Sequence, residues 1–117
     1  MYDIRPGAII NADCLTVLRQ MDAGSVDMVI TDPPYGAELL HPNEKPAALM
    51  RQLVEATTKP GALVLDPFAG SGSTLAAAAL TGRQYIGVEI DPEYCRIAQK
   101  KVQDALKTRL LKGGIDL

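Results

Sequence analysis

The stretch ALVLDPFAGSGSTLAAAAL, Ala62 to Leu80, encodes a complete strand, loop and helix. ALVLD is an apolar run that ends in an acid, which is typical of a strand buried on both faces of a parallel sheet. The alanine-rich run that follows AGSG predicts a helix whose small side chains let it lie close against that sheet. A buried strand followed directly by a helix is the unit of an α/β fold, so this stretch predicts an α/β fold with a mostly parallel sheet.

The rest of the chain repeats the alternation. Three further strands are predicted, at Ala8–Ile10, Val26–Thr31 and Gln84–Ile90. Helices should follow from Cys14, from Pro46, from Thr74, and from Pro92 with Asp91 as its N-cap. The spacing of apolar residues predicts that the first helix faces the core with Leu15, Leu18 and Met21. The same helical spacing marks the second helix, at Ala47, Leu49, Met50, Leu53 and Val54. It also marks a long amphipathic last helix, at Tyr94, Ile97, Ala98, Lys101, Val102 and Leu106.

Composition sets limits on the function. A chain of 117 residues with 47% hydrophobic residues predicts a single domain, residues 1–117. The net charge of −2 gives no global attraction to nucleic acid, so any such contact must be local. Cys14 and Cys95 have neither metal-site nor disulfide-framework spacing, and no long apolar run is present. We therefore expect a cytoplasmic protein without membrane attachment. The basic residues of the last helix (Arg96, Lys100, Lys101, Lys107) are expected to form its solvated face.

Four acidic residues close the four predicted strands: Asp13, Asp32, Asp66 and Glu89. Ligands of α/β proteins bind at the carboxyl ends of parallel strands, where these side chains should meet. Such a cluster at one sheet edge indicates a functional site rather than a solvated surface.

The loop DPFAGSGST, Asp66 to Thr74, places glycines between a buried strand and a helix, where the backbone can approach a ligand. It is not a P-loop, because Ser73 stands where the lysine would be. Alone, the loop has a less favoured alternative interpretation as a tight turn that packs helix on strand. Glu89, at the end of the next strand, is placed as a carboxylate that accepts from ribose hydroxyls, so together they favour a nucleoside ligand.

A second loop, DPPYG, Asp32 to Gly36, supplies a carboxylate and a carbonyl held rigid by two prolines, beside an aromatic ring. These groups suit a planar exocyclic amine that must act as a nucleophile. An ordinary turn is the alternative interpretation.

The segments TDPPYG, HPNEKP and DPFAGSGST together resemble the S-adenosylmethionine-dependent DNA amino-methyltransferases of restriction-modification and related systems, in the class with DPPY before FxGxG. The resemblance implies a Rossmann-like methyltransferase fold of about four strands with helices on both faces, incomplete relative to the family. It implies catalytic roles for Asp32, Pro33, Pro34 and Tyr35. It also implies S-adenosylmethionine binding by Asp13, Cys14, Asn43, Lys45, Asp66, Phe68, Ala69, Gly70, Ser71, Gly72, Ser73, Thr74, Glu89 and Ile90.

The residues between the two loops, Ala37 to Leu40, are a short join. In the family, further strands and a target-recognition region stand there, so the domain is interpreted as internally shortened. The family sheet order would leave Val26–Thr31 as an open edge, which predicts a homodimer or a partner chain.

Three functions remain open. The first is methylation of DNA, for which the resemblance favours adenine N6 over cytosine N4, because Asp at the first position of the DPPY loop, here Asp32, is the commoner pattern in adenine enzymes of the family. The second is S-adenosylmethionine binding without catalysis. The third is methylation of an amino group in RNA or protein.

Overall fold

The computed structural model describes residues 1–31 and 47–111. The described residues form four strands and four helices that alternate along the chain. The elements are β1 (Ile9–Asn11), α1 (Cys14–Leu18), β2 (Met28–Val29), α2 (Ala47–Thr57), β3 (Leu63–Asp66), α3 (Ser73–Leu80), β4 (Gln84–Glu89) and α4 (Pro92–Leu111). No helix in this part of the chain is long and apolar enough to cross a bilayer.

The four strands form one sheet in the order β1-β4-β3-β2, and every pair is parallel. The prediction of an α/β fold with a parallel sheet is therefore confirmed. β2 lies at one edge of the described sheet, where Asp27 fixes its position. The Asp27 backbone N–H donates to the Leu63 carbonyl at 2.9 Å, and its carboxylate accepts from the Leu63 N–H at 2.7 Å. β1 forms the other edge of the described sheet.

Helices cover both faces of the sheet. On one face, Val17 of α1 packs with Ile10, Leu65, Ile86 and Val88 from the strands. The opposite face carries the other three helices. There, Leu75 and Ala79 of α3 pack against Val102 of α4, while Met50 and Val54 of α2 pack against Ala77 of α3. The sheet is thus the middle of three layers.

The predicted inner face of α1 was right for Met21 and wrong for Leu15 and Leu18. Leu15 and Leu18 are 55% and 38% exposed, whereas Val17 is fully buried, with Cys14 and Met21 packed beside it. The Asp13 carboxylate caps the helix by accepting from the Thr16 N–H at 3.2 Å. The helix therefore starts at Cys14, and the row of residues 14, 17 and 21 faces the sheet.

The predicted face of α4 was only partly right. Its N-cap is confirmed, because the Asp91 carboxylate accepts from the Glu93 N–H at 2.8 Å. The buried row is Cys95, Ala98 and Val102. The larger side chains Tyr94, Ile97 and Leu106 are exposed. Smaller side chains are buried because α4 lies close to the loop before α3.

The edge strand β2 carries an exposed apolar side chain. Val29 of β2 is 53% exposed. On α2, Met50 and Val54 are buried, whereas Leu49 and Leu53 are partly exposed. The exposed Val29 side chain on the edge strand of the described sheet is consistent with the predicted open edge.

Gly72 fixes the distance between α4 and the loop before α3. Its φ is +91°, and a Cβ atom at this position would lie 2.8 Å from both the Cα and the Cβ of Ala98. Gly87 of β4 has a similar role, since its missing side chain makes room for Leu75 of α3. Glycine is required at position 72 by both its backbone angle and its packing.

We expect Gly72→Ala to lower the free energy of unfolding by about 2–5 kcal/mol, because it adds strain at positive φ to a clash with α4. Gly61→Ala is the matched control: its φ is +86°, but no atom lies within 4 Å of the added Cβ. The control should lose about 1–2 kcal/mol from backbone strain alone. Urea unfolding would measure both, and equal losses would contradict the packing argument.

Candidate functional site

The loop between β3 and α3 lies at the carboxyl edge of the sheet, next to the end of β4. The Ala69 N–H donates to the Val88 carbonyl at 2.9 Å, which ties the loop to β4. Gly70 and Gly72 both have positive φ, and the Gly72 N–H donates back to the Ala69 carbonyl at 2.8 Å. The glycines therefore produce a compact turn directly before the first residue of α3.

Glu89 connects this loop to the turn after β4. One carboxylate oxygen accepts from the Gly70 N–H at 2.8 Å, and the other accepts from the Asp91 N–H at 3.0 Å. The predicted pairing of the glycine loop with Glu89 is thus present in space. Each carboxylate oxygen has two lone pairs, so Glu89 can accept further hydrogen bonds from a ligand while it holds the loop.

The end of β1 lies beside Glu89. The Ala12 N–H donates to the Glu89 carbonyl at 3.1 Å, and the Asn11 side-chain amide donates to the carbonyls of Glu89 and Ile90 at 3.0 and 2.9 Å. These bonds bring the following residues, Asp13 and Cys14, to the same edge. Asp13 is exposed and caps α1, and Cys14 is half-buried.

The other predicted residues of this loop differ in accessibility. Asp66 is 1% exposed, and its carboxylate accepts from the Phe68 N–H at 3.0 Å, a contact within the turn. Thr74 and Ala69 are also buried, whereas Ser71 and Ser73 are half-buried. Phe68 and Ile90 are 57% and 69% exposed, which leaves two apolar side chains open to a ligand.

The remaining predicted site residues lie outside the described part of the chain: Asp32, Pro33, Pro34, Tyr35, Asn43 and Lys45. The short join, residues 37–40, lies outside it as well. Their assignments stay predictions.

The described residues beside the glycine loop suit a nucleoside ligand. A Cβ built on Gly70 would meet nothing nearer than the Phe68 carbonyl at 3.9 Å, so the loop backbone is open on that side. A carboxylate for hydroxyl groups and exposed apolar side chains lie on or beside this loop. Within residues 1–31 and 47–111, no group of His, Cys, Asp and Glu side chains is arranged to hold a metal ion. The described site therefore offers backbone and carboxylate recognition.

Cys95 lies beneath the turn after β4. Its thiol donates to the Glu89 carbonyl at 3.3 Å. Burial raises the pKa of this thiol, and the nearby carboxylates of Glu89 and Asp91 raise it further. Its contribution to stability is fully present below the ordinary thiol pKa and is lost as pH rises through the raised value. Its burial and its raised pKa both lower the reactivity of the Cys95 thiol.

Two contacts at the site were missed from sequence. Asn11 ends β1 and holds the turn after β4, although nothing in its local sequence distinguishes it from an ordinary loop residue. Lys101 was assigned to the solvated face of α4, yet its ammonium contacts the hydroxyls of Ser71 and Ser73. These residues are far apart in the chain, so local patterns could not reveal the contact.

We expect Glu89→Gln to lower the free energy of unfolding by about 1–3 kcal/mol, because the amide supplies one acceptor where the carboxylate supplies two. One of the two backbone N–H groups then loses its partner. Glu55→Gln, on the exposed surface of α2, should change stability by less than about 0.5 kcal/mol. Urea unfolding would measure both variants. An unchanged free energy of unfolding for Glu89→Gln would show that the two hydrogen bonds of the carboxylate do not stabilise the fold.

Solved structures similar to this chain agree with the fold. The crystal structure of M1.HpyAVI aligns with 81% of this chain and 98% of its own, with a TM-score of 0.68 and 19% identity, which supports the fold alone. TTHA0409 of Thermus thermophilus, solved in complex with S-adenosyl-L-methionine, aligns with a TM-score of 0.50 and 43% identity. That alignment covers 52% of this chain and 26% of TTHA0409.

Sequence relatives are methyltransferases. The DNA adenine methyltransferase YhdJ of Escherichia coli is 45% identical over 65 residues, which are 56% of this chain and 22% of YhdJ. The type II methyltransferase M2.DpnII of Streptococcus pneumoniae is 43% identical over 63 residues, 54% of this chain and 24% of M2.DpnII. The chain thus spans about a quarter of the length of these relatives.

The DNA methylase family model for N6 and N4 methyltransferases matches residues 36–100, more than half of the chain. With the glycine loop and Glu89 in place, this match shows that the chain belongs to the N6/N4 DNA methylase family.

Proposed function

We propose that this chain binds S-adenosylmethionine at the loop after β3 and takes part in methyl transfer to the exocyclic amino group of a DNA base. The observation that carries the proposal is the Glu89 carboxylate, which lies against the open backbone of the glycine loop at 2.8 Å from the Gly70 nitrogen. Family membership supports the reaction, and the complex of TTHA0409 with S-adenosyl-L-methionine supports the methyl donor.

The cofactor would lie across the carboxyl edge of the sheet. Glu89 would accept from the ribose hydroxyls, while Ile90, Asp13 and Cys14 would lie beside the adenine. The loop from Asp66 to Thr74 would lie against the methionine part of the cofactor. Asn43 and Lys45 would complete the site by closing over the cofactor.

The catalytic residues would be those of the DPPY loop, which follows β2 in the chain. The bound cofactor supplies an electrophilic methyl group on a positively charged sulfur. Asp32 and the Pro33 carbonyl would accept from the amino hydrogens of the base, which favours a pyramidal nitrogen with an available lone pair. Pro34 would keep the loop rigid, and Tyr35 would stack on the base.

Adenine N6 is the proposed target atom. Asp32 at the first position of the loop supports adenine, and YhdJ is named as a DNA adenine methyltransferase. Because the relatives are about four times longer than the matched part, sequence recognition is proposed to come from elsewhere. The position of β2 at one edge of the described sheet, with Val29 53% exposed, supports a homodimer or a partner chain there.

Binding can be tested through the two cysteines. We expect iodoacetamide to alkylate half-buried Cys14, and S-adenosylmethionine to slow this reaction severalfold by covering the end of β1. Cys95 is the internal control, since it is buried with a raised pKa and should remain unmodified until the chain unfolds. Peptide mass spectrometry would follow both residues. Unchanged alkylation of Cys14 at saturating cofactor would argue against its place in the site.

Catalysis can be tested by nucleoside mass spectrometry on DNA from a methylation-deficient host that expresses the chain. We expect N6-methyladenine with the unmodified sequence and at least about a hundredfold less with Asp32→Ala, because misplacement of the attacking amine costs on this scale. Asp22→Ala, in an exposed turn, is the matched control and should retain activity.

Other results would select among the alternatives. N4-methylcytosine in place of N6-methyladenine would change the target base. Methyl transfer from tritiated cofactor into RNA or protein, but not DNA, would overturn the DNA proposal. A chain that binds cofactor yet methylates none of the three would act as a binding module or require a partner.

A further inference from the structure

The side chain of Asn11 joins the end of β1 to the turn after β4, residues 89–91. Its amide nitrogen donates to the Glu89 carbonyl at 3.0 Å and to the Ile90 carbonyl at 2.9 Å. A side-chain amide carries two N–H donors, so these two bonds use both of them. Asn11 is exposed, and burial therefore does not hold it in this place. The two hydrogen bonds are what tie its side chain to the turn.

The two carbonyls differ in how they are held. The Glu89 carbonyl also accepts from the Ala12 N–H at 3.1 Å and from the Cys95 thiol at 3.3 Å. Three donors thus share one oxygen with two lone pairs, and loss of one donor would leave this oxygen satisfied. Among the described residues, Asn11 alone donates to the Ile90 carbonyl. Removal of the Asn11 amide should therefore mainly release the Ile90 carbonyl.

One peptide group couples the Ile90 carbonyl to the Glu89 carboxylate. This carbonyl and the Asp91 N–H belong to the same planar peptide unit, so a bond that fixes the carbonyl also fixes the direction of the N–H. The Asp91 N–H donates to one oxygen of the Glu89 carboxylate at 3.0 Å. On the other side of Ile90, Asn11 also holds the Glu89 carbonyl. One side-chain amide thus orients both the carboxylate and the backbone that carries the exposed Ile90 side chain.

We propose that Asn11 is a positioning residue that holds the turn after β4 so that Glu89 and Ile90 receive the adenosine part of S-adenosylmethionine. This inference rests on the proposed function, because that function assigns the ribose to Glu89 and the adenine to the neighbourhood of Ile90. Asn11 acts through the peptide group between Ile90 and Asp91, without contact with the reacting atoms.

The test compares Asn11→Ala with Gln20→Ala as the matched control. Gln20 also joins two segments through its side-chain amide, whose oxygen accepts from the Tyr2 N–H at 2.8 Å, but it follows the last residue of α1, Leu18. Asn11 and Gln20 are both exposed, so water can replace the lost hydrogen bonds and we expect both variants to fold. Urea unfolding would verify this before binding is measured.

Calorimetry would give the Kd of each variant for adenosine and for 2′,3′-dideoxyadenosine, which lacks both ribose hydroxyls. We expect the unmodified chain to bind adenosine at least about tenfold more tightly, because a carboxylate accepts from the hydroxyls. In Asn11→Ala this preference should fall about three- to tenfold, and the affinity for S-adenosylmethionine by a similar factor. Gln20→Ala should keep both. Asn11→Ser, which keeps one donor, should lie between, and it gives the same comparison if Asn11→Ala fails to fold.

Two results in this arm would overturn the proposal. Equal weakening of both nucleosides by Asn11→Ala would show that Asn11 supports the fold of the site without directing Glu89 toward the ribose. An unchanged preference for adenosine, with unchanged affinity for S-adenosylmethionine, would show that the contact has no effect on binding.

A second arm needs no ligand. The N–H groups of Gly70 and Asp91 both donate to the Glu89 carboxylate. Their hydrogen exchange should be faster in Asn11→Ala than in Gln20→Ala, because the turn loses an attachment to β1. Equal exchange would overturn the role of Asn11 in holding the turn. If the unmodified chain bound neither S-adenosylmethionine nor adenosine, the proposed function would fail and the adenosine assignment with it, whereas the exchange result would still decide whether Asn11 holds the turn.

Discussion

The close approach of Gly72 to Ala98 is the constraint on which the rest of the site depends. A loop at positive φ lies against the backbone of α4 with no room for a side chain between them. This contact holds α4 next to α3, which in turn sets the small buried row of α4 and leaves Tyr94 and Ile97 at the surface. Protein interiors tolerate little change in volume, so one missing Cβ determines which face of a long helix is buried.

Glu89 gives the same loop its second attachment. Its carboxylate joins the Gly70 N–H to the Asp91 N–H, so the loop after β3 and the turn after β4 are held as one unit. A half-buried carboxylate with two backbone partners is well ordered before any ligand binds. Binding then requires little rearrangement of this group, which reduces the entropic cost of recognition. The proposed role of Glu89 with ribose hydroxyls is compatible with this structural role, because its oxygens have lone pairs to spare.

The parallel sheet explains why a methyl donor and an acceptor base could meet at one edge. β3, β4 and β1 end beside one another and carry the proposed cofactor residues, while β2 ends at the same edge and leads into the DPPY loop. Membership of the N6/N4 DNA methylase family accounts for this arrangement. The chain matches about a quarter of its relatives, and the residues that match the family model include the whole glycine loop and Glu89. The described part of the chain is thus a proposed cofactor-binding core with β2 at one edge of its described sheet.

The sequence by itself determined the fold class, the strand–helix alternation, the N-cap at Asp91 and the pairing of the glycine loop with Glu89. These depend on local signals: apolar runs, glycines at strand ends and acids directly after strands. It did not determine the inner faces of α1 and α4, because Leu15, Leu18, Tyr94 and Ile97 satisfy the same periodicity as the residues that are buried. Only the tertiary structure decided between these faces, through the start of α1 at Cys14 and the contact of Gly72 with Ala98. It alone also revealed Asn11 and Lys101 at the site, since their partners lie on other elements and no pattern along the chain encodes such distant contacts.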